Sequence, residues 1–223
     1  RCAWEHDMIS DFSWDNLQFL LEATRWTIGL SLIVFITGGI AGFAVALLRT
    51  ARSPFLRFAS ALYIQLVQGT PVLIVLFLTY YGLALFGYKL SPIIAAGAAM
   101  TIFASAYLGE IWRGCIEGVQ RQQWEASAAL ALNRYQQLRY VILPQALRHS
   151  LPPTVGFMVQ IIKNTSITSI IGVVELTRAG QLVSNATFLP FIVFPVVALI
   201  YFALCYPLSR YSHSLERKFH AHR

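Results

Sequence analysis

The chain has 223 residues, of which 57% are hydrophobic and only 12% charged, and its formal net charge is +7. Soluble domains carry about 45–50% apolar and about 25% charged residues, so the charge here is too sparse to cover a water-exposed surface. Long uncharged runs mark an integral membrane protein instead. The basic residues fall in short blocks between those runs rather than in a stripe interleaved with stacking aromatics, which sets aside nucleic acid as a partner.

Residues 1–24 hold Glu5, Asp7, Asp11, Asp15 and Glu22 against Arg1 alone. This is not the basic start and short apolar core of a secretory signal, and it reads as an N-terminal segment on the outer side, periplasmic if the membrane is the one implied by the resemblance below. Trp26 to Leu48 is uncharged for 23 residues, enough to span a bilayer. Gly38 and Gly42 within it have the small-xxx-small spacing that lets another helix approach closely. After "RTARSPFLR" a second run covers Tyr63 to Tyr88, with a possible break at "QGTP", Gln68 to Pro71. A third, Leu90 to Gly109, is built largely from small residues, as closely packed membrane helices are.

A fourth run, Leu151 to Val174, is interrupted by "KNTSITS". The fifth covers Phe188 to Leu208. The expected architecture is all-α, with about five transmembrane helices over 25–208, a polar loop at about 117–148 and a basic tail over 209–223. An odd number of spans puts the two ends on opposite sides. With the N-terminus outside, twelve of the 17 Lys and Arg residues lie inside: Arg49, Arg52, Arg57, the five arginines of 113–148, and Arg210, Arg217, Lys218 and Arg223. That satisfies the positive-inside rule and puts the C-terminus on the cytoplasmic side. Cys2, Cys115 and Cys205 are far apart and read as structural thiols. His213, His220 and His222 lie in the basic tail, in water or on lipid headgroups, and no metal ligand set is expected.

The polar loop contains "EASAALALNRYQQLRYVILPQAL", Glu125 to Leu147. Its alanines and leucines are strong helix formers, and Glu125 suits a first turn. A second helical piece, "RYQQLRYVIL", is expected to end before Pro144, which lacks a backbone donor and bends or restarts the chain. Two short helices at the inner face result. Their thin alanine surface fits a groove on a partner; the plainer alternative is a helix lying on the membrane surface.

This stretch resembles the EAA loop of membrane subunits of ATP-binding-cassette importers, written E-A-A, three residues, G, then I/V-x-L-P. Glu125, Ala126, Ile142, Leu143 and Pro144 match; Ser127 and Ala131 replace the third residue and the glycine. Loss of that glycine suggests a more continuous helix, or a bend carried by Asn133. The likeness extends along the chain to the polar amino acid uptake group. "YIQLVQGTPVLIVLF" is similar to its R-G-T-P-L segment, with Gln68 where arginine is common. "AYLGEIWRGCIEGVQRQQWEA" resembles A-Y-x-x-E-I-x-R-G-x-I-x-x-V, and "KNTSITSIIGVVEL" resembles K-D-T-S-L followed by I-G-V-x-E-L, with Asn164 for aspartate. "LERK" in the tail is also usual there.

The resemblance implies a type I importer permease fold, with the loop as coupling helix in a cleft of a cytoplasmic ATPase. The coupling residues are then Glu125, which orients the helix, Ala126, Ala129 and Leu130, which fill the cleft, and Ala131 and Pro144. Two ATPase subunits carry ATP and Mg²⁺. A second permease chain, identical or related, completes the path, and an external amino-acid-binding protein delivers substrate. The chain itself is expected to bind no cofactor, and with no G-x-x-x-x-G-K-[ST] it is not the ATPase. Alternating access is the implied mechanism.

Polar groups at membrane depth are costly and face protein or water. Lys163, Asn164, Thr165 and Ser166 in the interrupted fourth run, with Gln68 and Thr70 at the second break, are the candidate substrate pathway, since broken helices expose groups that hold substrates. Alternatively, the hydroxyls bond the preceding turn and merely bend the helix. Asn164 in place of a carboxylate favours neutral or acidic amino acids over lysine and arginine. Glu110 and Arg113 are expected to form an internal ion pair, and Glu175 and Arg178 a solvated one near the outer face. Rival functions are an accessory scaffold, a permease for another small polar solute such as an opine, and a channel or secondary carrier. The scarcity of midspan carboxylates opposes proton coupling.

Overall fold

The structure, a computed structural model, describes residues 12–220, the side chain of His220 excepted. Residues 1–11, with Cys2, Glu5, Asp7 and Asp11 of the N-terminal segment, and residues 221–223, with His222, lie outside the described residues. The described residues form helices joined by short connections, with no strand among them.

Helix α1 spans Trp14–Arg49. It begins at Trp14 rather than Trp26 because Ser13 caps it, its Oγ accepting from the Asn16 amide at 3.5 Å, while Asp15 sits in the first turn. An uncharged run finds the part of a helix that suits lipid and misses polar turns that extend it. Helices α2 (Pro54–Gln68) and α3 (Val72–Leu85) meet at 102°. The corner is "GTP": Pro71 keeps Thr70 out of the helical region and starts the next helix without needing a donor. The possible break at Gln68 to Pro71 is therefore a real one.

Helix α4 covers Pro92–Glu117, two turns beyond the expected Gly109. The loop helix α5 is Arg121–Ala129. Helix α6 then runs without interruption over Arg134–Ile171, bends by 51°, and is followed by α7 (Leu176–Thr187). Helix α8, Pro190–His220, carries the expected fifth run and most of the basic tail as one helix. Among the described residues, three helices, α1, α4 and α8, are each long and apolar enough to cross a membrane; the bent pairs α2/α3 and α6/α7 bring the number to as many as five.

The uninterrupted α6 corrects the expectation that a short helix ends before Pro144. A wide π turn over Gln137–Ile142 precedes the proline, and the Leu143 amide bonds the Leu138 carbonyl five residues back. The wider turn makes room for the pyrrolidine ring. The Gln145 side chain donates to the Val141 carbonyl at 2.8 Å, filling an acceptor there.

The most extensive helix interface joins α1 to α4. A Cβ on Gly38 would lie 2.6 Å from Ala104 Cβ; one on Gly109 would lie 2.8 Å from Val45. Gly42 packs against Leu108 and the Ser105 carbonyl, each 3.0 Å from where its Cβ would be. The small-residue spacing thus serves a contact within the chain. Around it Leu30, Val34, Ala99, Met100, Phe103 and Phe157 form the main core. Phe157 brings in α6 by stacking on Tyr107 with ring centroids 5.4 Å apart, and Trp112 Nε1 donates to Thr154 Oγ1 at 2.8 Å. Broad apolar surfaces elsewhere, such as Ile40 at 71% and Phe191 at 93% exposed, suit contact with lipid or with other membrane helices.

Because no side chain fits at Gly38, Gly38→Ala is expected to destabilise the fold by about 1–3 kcal/mol. Ala104→Gly in the same chain should recover part of that loss. Thermal melting in mild detergent checks both; equal stability of Gly38→Ala and wild type would contradict the packing described.

Candidate functional site

At one end of the bundle, α5 ends in a Schellman turn. The Leu132 amide bonds the Ser127 carbonyl at 3.3 Å, and the Ala131 amide bonds the Ala128 carbonyl at 2.9 Å. Ala131 itself takes the left-handed conformation at φ 56°, the one that glycine adopts most readily. Losing the glycine therefore does not make the helix continuous: alanine adopts the glycine's geometry at a cost of about 1–2 kcal/mol. Asn133 starts α6 rather than carrying the bend. Its side chain accepts from the Gln136 amide at 3.0 Å, and the Gln136 side chain accepts from the Asn133 amide at 2.9 Å, a reciprocal capping box.

Every residue expected to couple, Glu125, Ala126, Ala129, Leu130, Ala131 and Pro144, is exposed. Leu130, at 76% exposed, is an apolar side chain held away from the core. Glu125 accepts from Arg121 Nε at 2.8 Å, one turn back on the same helix. The opposite face of α5 anchors it, and sequence reasoning passed over these residues. Ser127 is buried and bonds the Trp124 carbonyl at 2.9 Å. Trp124 packs with Ile116, Val119, Ile142 and Ala146, and the Arg134 guanidinium lies 4.0 Å from its ring centroid. A lone Trp in a polar loop was the available signal.

Near the far end of α6 the helix tightens into a 3-10 segment over Thr165–Ile171. Thr165, Ser166, Thr168 and Ser169 each donate to the carbonyl three residues back at 2.7 Å. Thr165 and Thr168 are fully buried, Lys163 is exposed, and Ser166 lies between. Asn164 is buried, its Oδ1 accepting from Gln160 at 3.0 Å. At the α2/α3 corner, Thr70 donates to the Leu66 carbonyl at 2.7 Å, and Gln68 Nε2 reaches the Ala106 carbonyl at 3.5 Å. Gln68 and Thr70 sit at the α2/α3 corner, whereas Lys163–Ser166 lie inside the continuous α6 where it tightens, two turns before its bend, so the expected interruption there is a change of helix type and not a break.

Two ion-pair expectations fare differently. Arg113 Nε donates to Glu110 at 2.9 Å and the same guanidinium also bonds Glu117, so the internal pair is present. Glu175 makes no solvated pair with Arg178. It is wholly buried at the α6/α7 bend, where its carboxylate caps α7 by accepting from the Arg178 amide at 2.9 Å. Tyr201 of α8 donates to it at 2.8 Å and Thr27 of α1 at 3.4 Å. Thr27 Oγ1 in turn accepts from the Leu176 amide at 3.1 Å, and the Arg178 guanidinium turns to Gln181. The i, i+3 spacing pointed to a salt bridge, but the carboxylate satisfies helix amides instead.

Two outcomes follow from this geometry. Ala131→Gly is expected to leave stability unchanged or raise it by up to about 1 kcal/mol, and Ala131→Val to lower it by about 1–2 kcal/mol. Glu175→Ala strands the Arg178 amide of α7 and unties α1 and α8 from the bend, leaving Tyr201 only its Thr177 bond, so a loss of about 2–4 kcal/mol is expected. An apparent melting temperature lower by roughly 5–15 °C would report the latter; an unchanged one would contradict the clamp.

Comparison with known proteins agrees with this arrangement. Residues 21–220 match the family described as binding-protein-dependent transport system inner membrane component. The chain is 30% identical over 216 residues to YckA of Bacillus subtilis (strain 168), a probable amino-acid ABC transporter permease protein, covering 97% of this chain and 96% of that one. It is 32% identical over 207 residues to the glutamine transport system permease protein GlnP of Escherichia coli (strain K12), covering 92% and 94%. A crystal structure of an amino acid ABC transporter with histidines superposes with a TM-score of 0.86 at 29% identity, over 92% of this chain and 95% of that one. An inward-facing structure of the MetNI methionine ABC transporter shares the fold, with a TM-score of 0.78 at 17% identity and coverage of 93% and 99%. The chain belongs to the binding-protein-dependent transport system inner membrane component family and has the type I ABC importer permease fold.

Proposed function

We propose that this chain is the permease through which an ATP-driven importer moves a polar amino acid across the bacterial inner membrane. The observation that carries the reading is the loop: a helix anchored by Trp124 and Ser127 turns Glu125, Ala126, Ala129 and Leu130 outward. A short helix with an exposed small-residue face and a protruding leucine suits the cleft of a partner subunit. The reading takes that partner to be one of two cytoplasmic ATPase subunits, which bind ATP and Mg²⁺ and hydrolyse the nucleotide.

In this proposal a second permease chain completes the path, and an external binding protein delivers substrate to the side opposite the loop. The N-terminus then faces outward and the tail inward, as the distribution of basic residues favours. Closure of the ATPase pair moves the coupling helices together and opens the path outward; hydrolysis returns it inward. Substrate passes the corner at Gln68–Thr70 and the α6 segment Lys163–Ser166, where the helix tightens. There a carboxylate needs donors, which Asn164 and Lys163 carry, and an ammonium needs acceptors, which hydroxyl oxygens retain after donating their proton. Asn164 contributes no negative charge, and with relatives named for glutamine this supports a neutral or acidic amino acid.

The coupling reading is tested by purifying the complex with Glu125→Arg or Ala129→Trp in the permease. The ATPase subunits are expected to be lost from the preparation, and their retention with full substrate-stimulated hydrolysis would sink the docking surface. Substrate choice is tested in proteoliposomes with Asn164→Asp. Uptake of arginine or lysine should rise about tenfold relative to glutamine, the effect of about 1.4 kcal/mol. If wild type already prefers lysine or arginine, the inference from Asn164 is wrong.

A further inference from the structure

Beside the loop lies a pocket of about 400 Å³ that the transport reading leaves unused. Arg49 from the end of α1, Arg57 from the first turn of α2, and Arg134 from the start of α6 all line it. Its walls include Phe58, Ile116 and Trp124, and the start of α2 at Pro54 adds the positive end of a 15-residue helix. Glu117 is the carboxylate in the lining, and it is bonded to Arg113.

The carboxylates near the three guanidiniums, Glu117 in the lining and Glu110 within the field of Arg49, are both already bonded to Arg113. None of the ion pairs among the described residues involves Arg49, Arg52, Arg57 or Arg134. Arg49 Nε is buried with no hydrogen-bond partner, and the bond that Arg49 does make, to the Arg57 carbonyl, is long at 3.5 Å. Burial and the nearby charge of Arg52 push the Arg134 guanidinium below its usual range. Buried arginine donors are ordinarily satisfied, and like charges held around one cavity repel.

We infer that this pocket binds a phosphate group, and that in the membrane it takes the phosphate of an acidic phospholipid headgroup. Forked guanidinium donors match phosphate oxygens, and a helix start adds favourable amides. The surroundings favour a lipid over free phosphate. Phe55 and Phe58 are 73% and 68% exposed on α2 next to the arginines, with Leu62 and Leu66 exposed further along the same helix. Basic groups at the mouth with an apolar helix face leading away is the pattern that a headgroup and its acyl chains require. The site does not depend on which amino acid is carried or on whether the neighbouring helix docks an ATPase.

The test uses the intact permease complex in mild detergent, with native mass spectrometry after addition of equal dioleoyl phosphatidylglycerol and dioleoyl phosphatidylcholine. Phosphatidylglycerol should be retained selectively. Arg57→Gln and Arg49→Gln should each lower its retention about five- to tenfold, with Arg49→Lys closer to wild type. Arg217→Gln with Lys218→Gln in the exposed tail should have no effect. If inorganic phosphate displaces the lipid and binds with the same arginine dependence, the site is a phosphate site whose natural occupant is the free ion, and the lipid assignment falls. Retention unaltered by the pocket variants, or equal for the two lipids with no phosphate binding, overturns the proposal. So does loss of the ATPase subunits in Arg57→Gln without selective lipid retention in wild type, which would make the pocket a protein contact.

Discussion

Close approach of α1 and α4 is the contact on which the rest of the bundle depends. Gly38, Gly42 and Gly109 bring two backbones near enough that a methyl group at Gly38 would collide with Ala104. In lipid there is little hydrophobic gain in pressing one apolar helix on another, so dispersion between well-fitted surfaces and buried polar contacts must hold spans together. That fit fixes α4, and α4 carries Phe103, Tyr107 and Trp112 to the face on which α6 packs. It also fixes Thr27 on α1, one of the two side-chain hydroxyls that hold the Glu175 carboxylate.

A membrane bundle must also satisfy its backbone wherever a helix breaks. The α6/α7 bend does so with one carboxylate that caps α7 while accepting hydrogen bonds from α1 and α8. Tyr201 has a single proton, and donating it to Glu175 leaves Thr177 to donate to the Tyr201 oxygen at 2.9 Å. The directions of these bonds are thereby set across three helices. The α2/α3 corner is built more loosely, from a proline that needs no donor and a threonine bonded within its own helix. The two breaks thus differ in restraint: one is tied to its neighbours, the other chiefly to itself.

Much of this was legible in the sequence because lipid imposes a coarse code. Uncharged runs located the membrane segments, small-residue spacing located the α1 contact, and "QGTP" and "KNTSITS" located irregular backbone. Boundaries were less legible, since Trp14, Glu117 and the tail extend helices with polar turns that no hydropathy pattern marks. Two errors have a common origin in local rules. Pro144 forbids an ordinary helical bond but not a π turn, and Glu175 pairs with Arg178 only if nothing else claims its oxygens. Each was settled by partners distant in sequence or by a rare local geometry. The anchoring roles of Trp124 and Ser127 needed the opposite face of α5 to be known, and the arginine-lined pocket needed three separate segments brought together.

The unbroken α6 also bears on how the proposed transporter would work. A second short helix ending before Pro144 would have left a flexible joint between the loop and the spans. Instead a single helix of about 55 Å leads from the capping box at Asn133 to the 3-10 segment at Thr165–Ile171. The Schellman turn at Ala131 fixes how α5 meets that helix, and the Trp124–Arg134 contact clamps the same corner from the other side. A displacement of α5 by a bound ATPase would therefore be passed along α6 as a rigid movement. Its far end is where the helix is already tightened and Glu175 ties three helices together. On this argument the left-handed alanine contributes stiffness at the joint where a glycine would give more freedom, so the coupling strength of Ala131→Gly is the quantity that separates a lever from a hinge.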